Sequence, residues 1–302
     1  MRRGPRAQTH KHTRRARPSG FARRHGGLFL FTLCCLFVFA KSEPLCAATP
    51  QSDLTPLQHE IRVQTARLSS ADVEERRDAV TRLGALGRPE GSRAAASALA
   101  DPSPVVRATA ARAVLSLGPG EAATLLLPLL RDRDEFARRE AAYALGLTRS
   151  PSAVAALAAA LETDKRPSVR GAAAVALGQL GDAAAVPALA GAVSRRLQAP
   201  GFFNRLRRRK VEEDEFVRRS AAVALGQIGS RESVPALVEA LSDARAPSDV
   251  RRECARALGR IGDPSAVPAL RSVLAAQDPY LSRIAFEALK RIDPQSATRP
   301  GG

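Results

Sequence analysis

Apolar and small side chains recur at helical spacing through the middle of the chain. Within residues 169–180 they fall on one face of a helix, at Val169, Ala172, Ala173, Ala176, Leu177 and Leu180. Val186, Leu189 and Val193 follow at intervals of three and four residues, which predicts a second amphipathic helix. Gly178 and Gly181 are expected to end the first helix, because glycine accepts left-handed backbone angles. The pattern therefore predicts a pair of short helices.

The same two-helix pattern returns along the chain, marked each time by an arginine near the start of the first helix. These arginines are Arg76, Arg107, Arg138, Arg170, Arg218 and Arg251. Their successive separations are 31, 31, 32, 48 and 33 residues, and Ser282 occupies the matching position 31 residues after the last. A unit of this size cannot bury its own apolar face, whereas stacked copies can. The sequence therefore predicts an all-α array of stacked repeats.

Three phrases of the array resemble HEAT-like repeats of the phycobilin-lyase type. They read VRGAAAVALGQLGDAAAVPAL, VRRSAAVALGQIGSRESVPAL and VRRECARALGRIGDPSAVPAL. The resemblance covers residues 70–293 and implies an α-solenoid, an ARM/HEAT-like right-handed superhelix of about seven two-helix repeats. It also implies that the second helices line the concave face. Arrays of this kind serve many tasks, so the resemblance indicates a fold and not a function.

The N-terminal segment has the order of a secretory signal peptide. A basic stretch ends at Arg24, the apolar run LFLFTLCCLFVFA occupies residues 28–40, and small residues follow. We expect residues 1–48 to be the signal, with cleavage after Ala48. Cleavage after Ala40 and an uncleaved membrane anchor are the alternatives. This interpretation predicts export to the periplasm or the cell envelope.

The remainder of the chain divides into three parts. We expect a linker and an N-terminal capping helix at 49–69, the repeat array at 70–294, and a disordered tail at 295–302.

The formal net charge of +17 is unevenly placed. Nine basic residues and no acidic residue lie within residues 1–27. After residue 48 there are 37 basic and 29 acidic residues, which leaves an excess of +8. About half of the basic character therefore belongs to the expected leader and gives no argument about the partners of the array.

Histidine and cysteine are too few in the array for the chemistry that some similar folds carry. The four histidines are His10, His12, His25 and His59. HEAT-like metal hydroxylases resemble this fold and bind iron through several His-Glu pairs, and His59-Glu60 alone supplies too few ligands. Cys254 lies where neighbouring repeats hold alanine, which favours a small core residue over a nucleophile. We therefore expect no catalytic, metal-binding or cofactor-binding residues.

Five of the repeated arginines have two possible roles. They are Arg107, Arg138, Arg170, Arg218 and Arg251. They could form a stripe that binds phosphate, or a structural ladder with acids that stand six residues before an arginine. Those acids are Asp101, Asp132, Asp164 and Glu212. The ladder is favoured, because charges in such arrays are more often paired than free.

The one departure from the repeat is an insert at residues 194–215, which accounts for the separation of 48 residues. Its candidate partner-binding residues are Phe202, Phe203, Arg205, Arg207, Arg208, Arg209 and Lys210. A basic, aromatic loop on the edge of an array can meet an acidic partner or an anionic surface. Alternatively, the next helix extends backward through the insert, with Arg208 and Glu212 paired at helical spacing. The charge-paired helix is slightly favoured.

The second helices expose mostly small side chains, which favours a shallow apolar groove. The expected exposed positions are Ala155, Ala156, Ala159, Ala188, Gly191, Ala192, Ala236 and Ala240, and residues 125–130 (LLLPLL) are apolar almost all round. Such a groove suits a protein or peptide partner and disfavours nucleic acid, which needs a dense row of basic side chains.

These observations predict an exported, non-catalytic scaffold that holds another protein. An enzyme or enzyme subunit resembling the bilin lyases is the alternative. Binding of nucleic acid or of an anionic surface through the insert is the third hypothesis.

Overall fold

The computed structural model describes residues 54–194, 196–198 and 210–296. Its helices are α1 Pro56–Arg67, α2 Val73–Ala85, α3 Pro89–Ala95, α4 Pro104–Ala113, α5 Pro119–Leu126, α6 Glu135–Thr148, α7 Val154–Thr163, α8 Pro167–Leu180, α9 Val186–Ser194, α10 Glu215–Ile228, α11 Val234–Ser242, α12 Ser248–Ile261, α13 Val267–Ser272 and α14 Pro279–Ile292. Two short strands, β1 Arg196–Gln198 and β2 Lys210–Glu212, lie between α9 and α10. The expected signal peptide lies outside the described residues.

Seven first helices stack in chain order, and the second helices pack beside them. The first helices are α2, α4, α6, α8, α10, α12 and α14, and each contacts the next. Helix α1 packs against α2 and α3, at the N-terminal end of the described array. This arrangement confirms the predicted solenoid. The last repeat contains only its first helix, because only the turn Pro294–Ser296 follows α14 in the described chain.

A leucine-rich core runs between the repeats. Its largest fully buried side chains are Leu83, Leu126, Leu145, Leu157, Leu161, Leu177, Leu189, Leu225, Leu237, Leu241, Leu258 and Leu270. Each such side chain contributes about 1.5–3 kcal/mol through its removal from water. Because no unit can supply this burial alone, the core requires neighbouring repeats on both sides.

Glycine sets the end of several first helices. Gly181, Gly229 and Gly262 close α8, α10 and α12 in the left-handed region, with φ of 70°, 73° and 72°. A short turn follows each glycine and leads into the second helix. After Gly181, for example, the Asp182 side chain accepts a hydrogen bond from the backbone N–H of Ala184. This confirms the expected helix-ending role of Gly181.

Gly178 does not end its helix, and the expectation for it was wrong. It lies inside α8, where a Cβ atom would be 2.8 Å from the Cα and Cβ atoms of Ala224 in α10. The same contact recurs between successive first helices, at Gly84 with Ala113, Gly146 with Ala176, Gly226 with Ala257 and Gly259 with Ala288. The glycine is needed because the two helices approach too closely for a side chain.

Two first helices lack this glycine: α14, which has Lys290 at the position, and α4, which is shorter than the others. Leu115 occupies the position in the Arg107 repeat and is half-buried against the core. There α4 ends at Ala113, and a tighter turn, Val114–Ser116, replaces the last turn of α-helix. The change of helix type coincides with the larger side chain.

We expect Gly178→Ala to destabilise the fold, although alanine normally favours a helix. The added methyl group must push α8 and α10 apart, and overpacking of this kind costs about 1–3 kcal/mol. The free energy of unfolding from urea titration measures the effect. The matched control is Gly191→Ala in α9, where nothing lies within 4 Å of the new atom. That variant should gain about 0.5–1 kcal/mol from helix propensity. Equal effects of the two variants would contradict the packing role of Gly178.

Candidate functional site

A shallow apolar groove lies between the segment after α5 and helix α7. The turn Leu127–Arg131 contributes Leu127 and Pro128, and α7 contributes Ala156 and Ala159. The groove has a volume of about 690 Å³. It exists because the alanines of α7 are too small to fill the space beside the bulkier turn.

The rim of the groove is polar and carries no strong net charge. Thr124, Arg131, Thr163 and Asp164 line it. The carboxylate of Asp164 is already held by Arg138, with 2.7 Å between its Oδ2 atom and the arginine Nε atom. An uncharged peptide surface fits such a groove better than a polyanion, which requires many basic groups.

The groove is more local than the sequence predicted. Ala155 and Ala159 are exposed and Ala156 is half-buried, as expected, but three other expected positions are buried. These are Ala188, Ala192 and Ala240, with 8%, 0% and 3% exposure. They are covered because adjacent second helices pack against one another as well as against the first helices.

The insert begins and ends as a β-hairpin. Arg196 pairs with Glu212, Leu197 with Val211, and Gln198 with Lys210 in antiparallel register. Helix α10 begins only at Glu215. The expectation that this helix extends backward through Arg208 and Glu212 is therefore wrong, because Glu212 lies in a strand.

Most of the candidate partner-binding residues of the insert lie outside the described residues. These are Phe202, Phe203, Arg205, Arg207, Arg208 and Arg209. Of the candidate set, Lys210 alone is described, as the first residue of β2. Their role as a contact site stays a prediction.

Repeated ion pairs link neighbouring repeats at the start of the first helices. The guanidinium of Arg107 donates from Nε and Nη2 to the two carboxylate oxygens of Asp132, both at 2.7 Å. Its Nη1 atom donates to the backbone carbonyl of Asp101 at 2.7 Å. Arg76 with Asp101, and Arg138 with Asp164, repeat this bidentate geometry. Bidentate pairs of this kind are among the stronger hydrogen-bonded contacts in proteins.

The same carboxylates also accept hydrogen bonds from backbone N–H groups just before the next first helix. The Oδ1 atom of Asp101 accepts from the backbone N–H of Ser103 at 2.8 Å, and that of Asp132 accepts from Asp134 at 2.8 Å. One carboxylate therefore holds the arginine of the preceding repeat and the turn that leads into its own repeat.

The fourth pair spans the insert and uses a different acid from the one expected. Arg170 pairs with Glu213, at 3.0 Å from Nε to Oε2 and 2.5 Å from Nη2 to Oε1. Glu212 was expected in this position, but it belongs to β2. Both partners are buried, with side-chain exposures of 6% and 0%. The pair connects the repeats on the two sides of the insert.

In the C-terminal repeats, the residues at the repeated arginine position donate hydrogen bonds to backbone carbonyl groups. Arg218 donates from Nε to the carbonyl of Val193 at 2.8 Å, and Arg251 donates to that of Leu241 at 2.9 Å. The hydroxyl of Ser282 donates to the carbonyl of Val273 in the same way, at 3.4 Å. For Arg251 the expected arginine–acid ladder is therefore wrong within the described residues, because Ala276 stands 25 residues on, where Arg107 has Asp132.

Two of the ion pairs lower the pKa of an aspartate carboxyl group. Hydrogen bonds from Arg76 and Arg107 hold the pKa of Asp101 and of Asp132 below the usual aspartate value. A folded-state pKa below the unfolded value stabilises the fold above about pH 4, and the stabilisation is lost as the pH falls through the folded-state pKa. The arginines that are paired in this way are committed to structural contacts and do not form a free phosphate-binding stripe.

We expect Arg107→Met to destabilise the protein by about 3 kcal/mol at neutral pH, because it leaves the largely covered Asp132 carboxylate, 11% exposed, uncompensated. The deficit should shrink below about pH 4, where Asp132 becomes protonated. Urea unfolding at neutral and acid pH measures both effects. The control is Arg77→Met, whose partner Glu74 is exposed, and which should change stability little. A deficit that is the same at both pH values would contradict the pairing.

Cys254 is a core residue. Burial raises the pKa of its thiol to about 12, and its side chain is fully covered. A thiol in this environment is almost entirely protonated at neutral pH and is a poor nucleophile.

The HEAT-repeat family matches residues 61–146, 123–199 and 199–290. These matches cover most of the chain and all the first helices except part of α14. The chain belongs to the HEAT-repeat family.

Comparison with solved structures found similarity to the following three proteins. The chain is 24% identical to the complex of CpcE and CpcF of phycocyanin lyase from Nostoc sp. PCC7120, covering 85% of this chain and 96% of that one, with a TM-score of 0.44. Human deoxyhypusine hydroxylase in complex with glycerol is 21% identical over 78% of this chain and 97% of that one, with a TM-score of 0.38. An engineered protein is 23% identical over 77% and 68%, with a TM-score of 0.48. No curated protein matches the sequence.

Metal-binding clusters and membrane-spanning helices are both absent from the described residues. The described residues contain no cluster of three or more His, Cys, Asp or Glu side chains that could hold a metal ion. Among the same residues, no helix has both the length and the apolar character needed to cross a membrane.

Proposed function

We propose that the protein is an exported, non-catalytic scaffold that holds another protein in the groove beside α7. The observation that carries this proposal is the groove itself, with its alanine floor and its rim of weak net charge. A peptide segment with large apolar side chains would fill the space beside Ala156 and Ala159. Each such side chain that becomes buried would contribute about 1.5–3 kcal/mol to binding.

The complete hydrogen bonding of buried side chains supports a scaffold role. Within the described residues, every buried side-chain nitrogen or oxygen atom has a hydrogen-bond partner. A surface held by a fully satisfied core loses little conformational entropy when it binds, which favours affinity.

The N-terminal segment supports export in the proposal. Residues 1–48 would direct the chain across a membrane and be removed after Ala48, which leaves Thr49 as the first residue. The hairpin insert would then add a second, basic contact for the partner.

We expect Ala159→Glu to abolish recovery of the partner, because it places a charge in the apolar groove. The measurement is cross-linking in the native cell, followed by affinity capture through a C-terminal tag and mass spectrometry. The control is Ala275→Glu, which adds the same charge at an exposed turn outside the groove. Both variants should melt at the same temperature as the parent protein.

A third variant tests the insert without disturbing the Arg170–Glu213 pair. It replaces residues 199–209 by Asn-Gly, which can close β1 and β2 in a two-residue turn. A partner that is lost only with this variant would contradict the groove assignment and place the contact in the insert. A coloured small molecule in place of a protein would contradict the non-catalytic scaffold and favour the bilin-lyase alternative. The N-terminus of the captured protein reports export, since the proposal predicts Thr49.

A further inference from the structure

The last two first helices, α12 and α14, differ from the other first helices at two exposed positions of the repeat. We call each set of equivalent positions a column. The columns lie five and nine residues after the repeated arginine position. In the first five repeats they hold one charged residue, Arg112, whereas in the last two they hold Arg256, Arg260, Glu287 and Arg291. The departure from the repeat pattern is therefore confined to one end of the array.

Helix packing brings these side chains into one cleft. Helices α12 and α14 approach closely at Gly259, where a Cβ atom would be 2.7 Å from the Cβ atom of Ala288. The cleft above this contact is lined by Arg256 and Arg260 from one helix, and by Arg283 and Arg291 from the other. Its volume is about 420 Å³. Four guanidinium groups thus border a single concave surface.

Three of the four guanidinium groups form no ion pair within the described residues. Arg256 pairs with Glu253, and Glu287 is the one carboxylate among the cleft-lining residues. Arg260, Arg283 and Arg291 form no ion pair there. Arg283 lies one residue after the repeated arginine position. In four earlier repeats this position also holds an arginine, and each of those arginines forms an ion pair, whereas Arg283 does not within the described residues. These pairs are Arg77–Glu74, Arg139–Glu140, Arg219–Asp249 and Arg252–Asp278.

The cleft also offers an aromatic and an aliphatic contact. The ring of Tyr280 is 66% exposed, and the guanidinium carbon of Arg252 lies 5.1 Å from its centroid. Ile284 is half-buried in the wall. An aromatic ring and an aliphatic side chain beside free guanidinium groups suit a ligand with apolar and carboxylate groups.

We propose that the cleft between α12 and α14 binds an acidic peptide segment of a partner protein. Guanidinium groups bind carboxylates in bidentate geometry, and Tyr280 and Ile284 contact an apolar side chain that lies between the acids. This cleft lies on first helices, whereas the groove beside α7 is built from the second-helix layer. The inference therefore goes beyond the proposed scaffold function and does not depend on it.

The test is binding of a fluorescein-labelled, glutamate-rich peptide with one central phenylalanine, measured by fluorescence anisotropy. We expect the double variant Arg260→Glu/Arg283→Glu to raise the Kd at least about tenfold, since it reverses two charges in the cleft. The matched control is Arg62→Glu/Arg88→Glu, which changes the net charge equally at exposed sites in the first repeats. The control should keep the parent affinity within about twofold. Binding should weaken as salt is added.

Three outcomes would overturn the proposal. Equal weakening by both double variants would mean that the peptide responds only to net charge. Absence of binding to the parent protein would mean that the arginines serve only as a polar end to the stack. Tighter, cleft-dependent binding of a single-stranded DNA of matched charge would assign the cleft to nucleic acid. The cleft and the groove beside α7 are tested by different variants and different ligands, so failure of this proposal and failure of the scaffold proposal are distinguishable.

Discussion

The close approach of successive first helices is the constraint on which the other features depend. At Gly178 and Ala224 the backbones of α8 and α10 come so near that no side chain fits between them. This distance brings the leucines of adjacent repeats into one core. It also lets an arginine of one repeat reach the acid at the start of the next. The contact of small residues therefore accompanies the apolar packing and the ion pairs at most steps of the stack, and the α4–α6 step keeps the Arg107–Asp132 pair with Leu115 at the glycine position.

The same constraint explains how the array tolerates the insert. Helices α8 and α10 pack directly although the repeat spacing there is 48 residues. The hairpin β1–β2 leaves the line of the stack and returns to it, and Glu213, the residue after β2, pairs with Arg170. The structural continuity therefore lies in the direct packing of α8 against α10.

Spacing alone predicted the helices, the leucine core and the start of each repeat, because these depend on which residues share a helix face. Spacing could not distinguish a glycine that ends a helix from a glycine that packs against the next first helix. Gly181 ends a helix and Gly178 packs against another, and the distinguishing signal is Ala224 in the next repeat. The choice of Glu213 over Glu212 depends on strand register. Ala192 and Ala240 were expected to be exposed, because contacts between adjacent second helices cannot be inferred from the spacing of residues within one repeat. The arginine cleft could have been found by comparing the repeats column by column.

A double-mutant cycle at Gly178 and Ala224 tests the central claim most directly. It compares the free energy of unfolding of Gly178→Ala, Ala224→Gly and the double variant with that of the parent protein. The account predicts that the double variant recovers about 1 kcal/mol relative to the sum of the single effects, because removing the Ala224 methyl group relieves the Cβ–Cβ contact, while the contact with the Ala224 Cα atom remains. Additive losses would show that the two residues do not share a contact, and would contradict close helix packing as the basis of the stack.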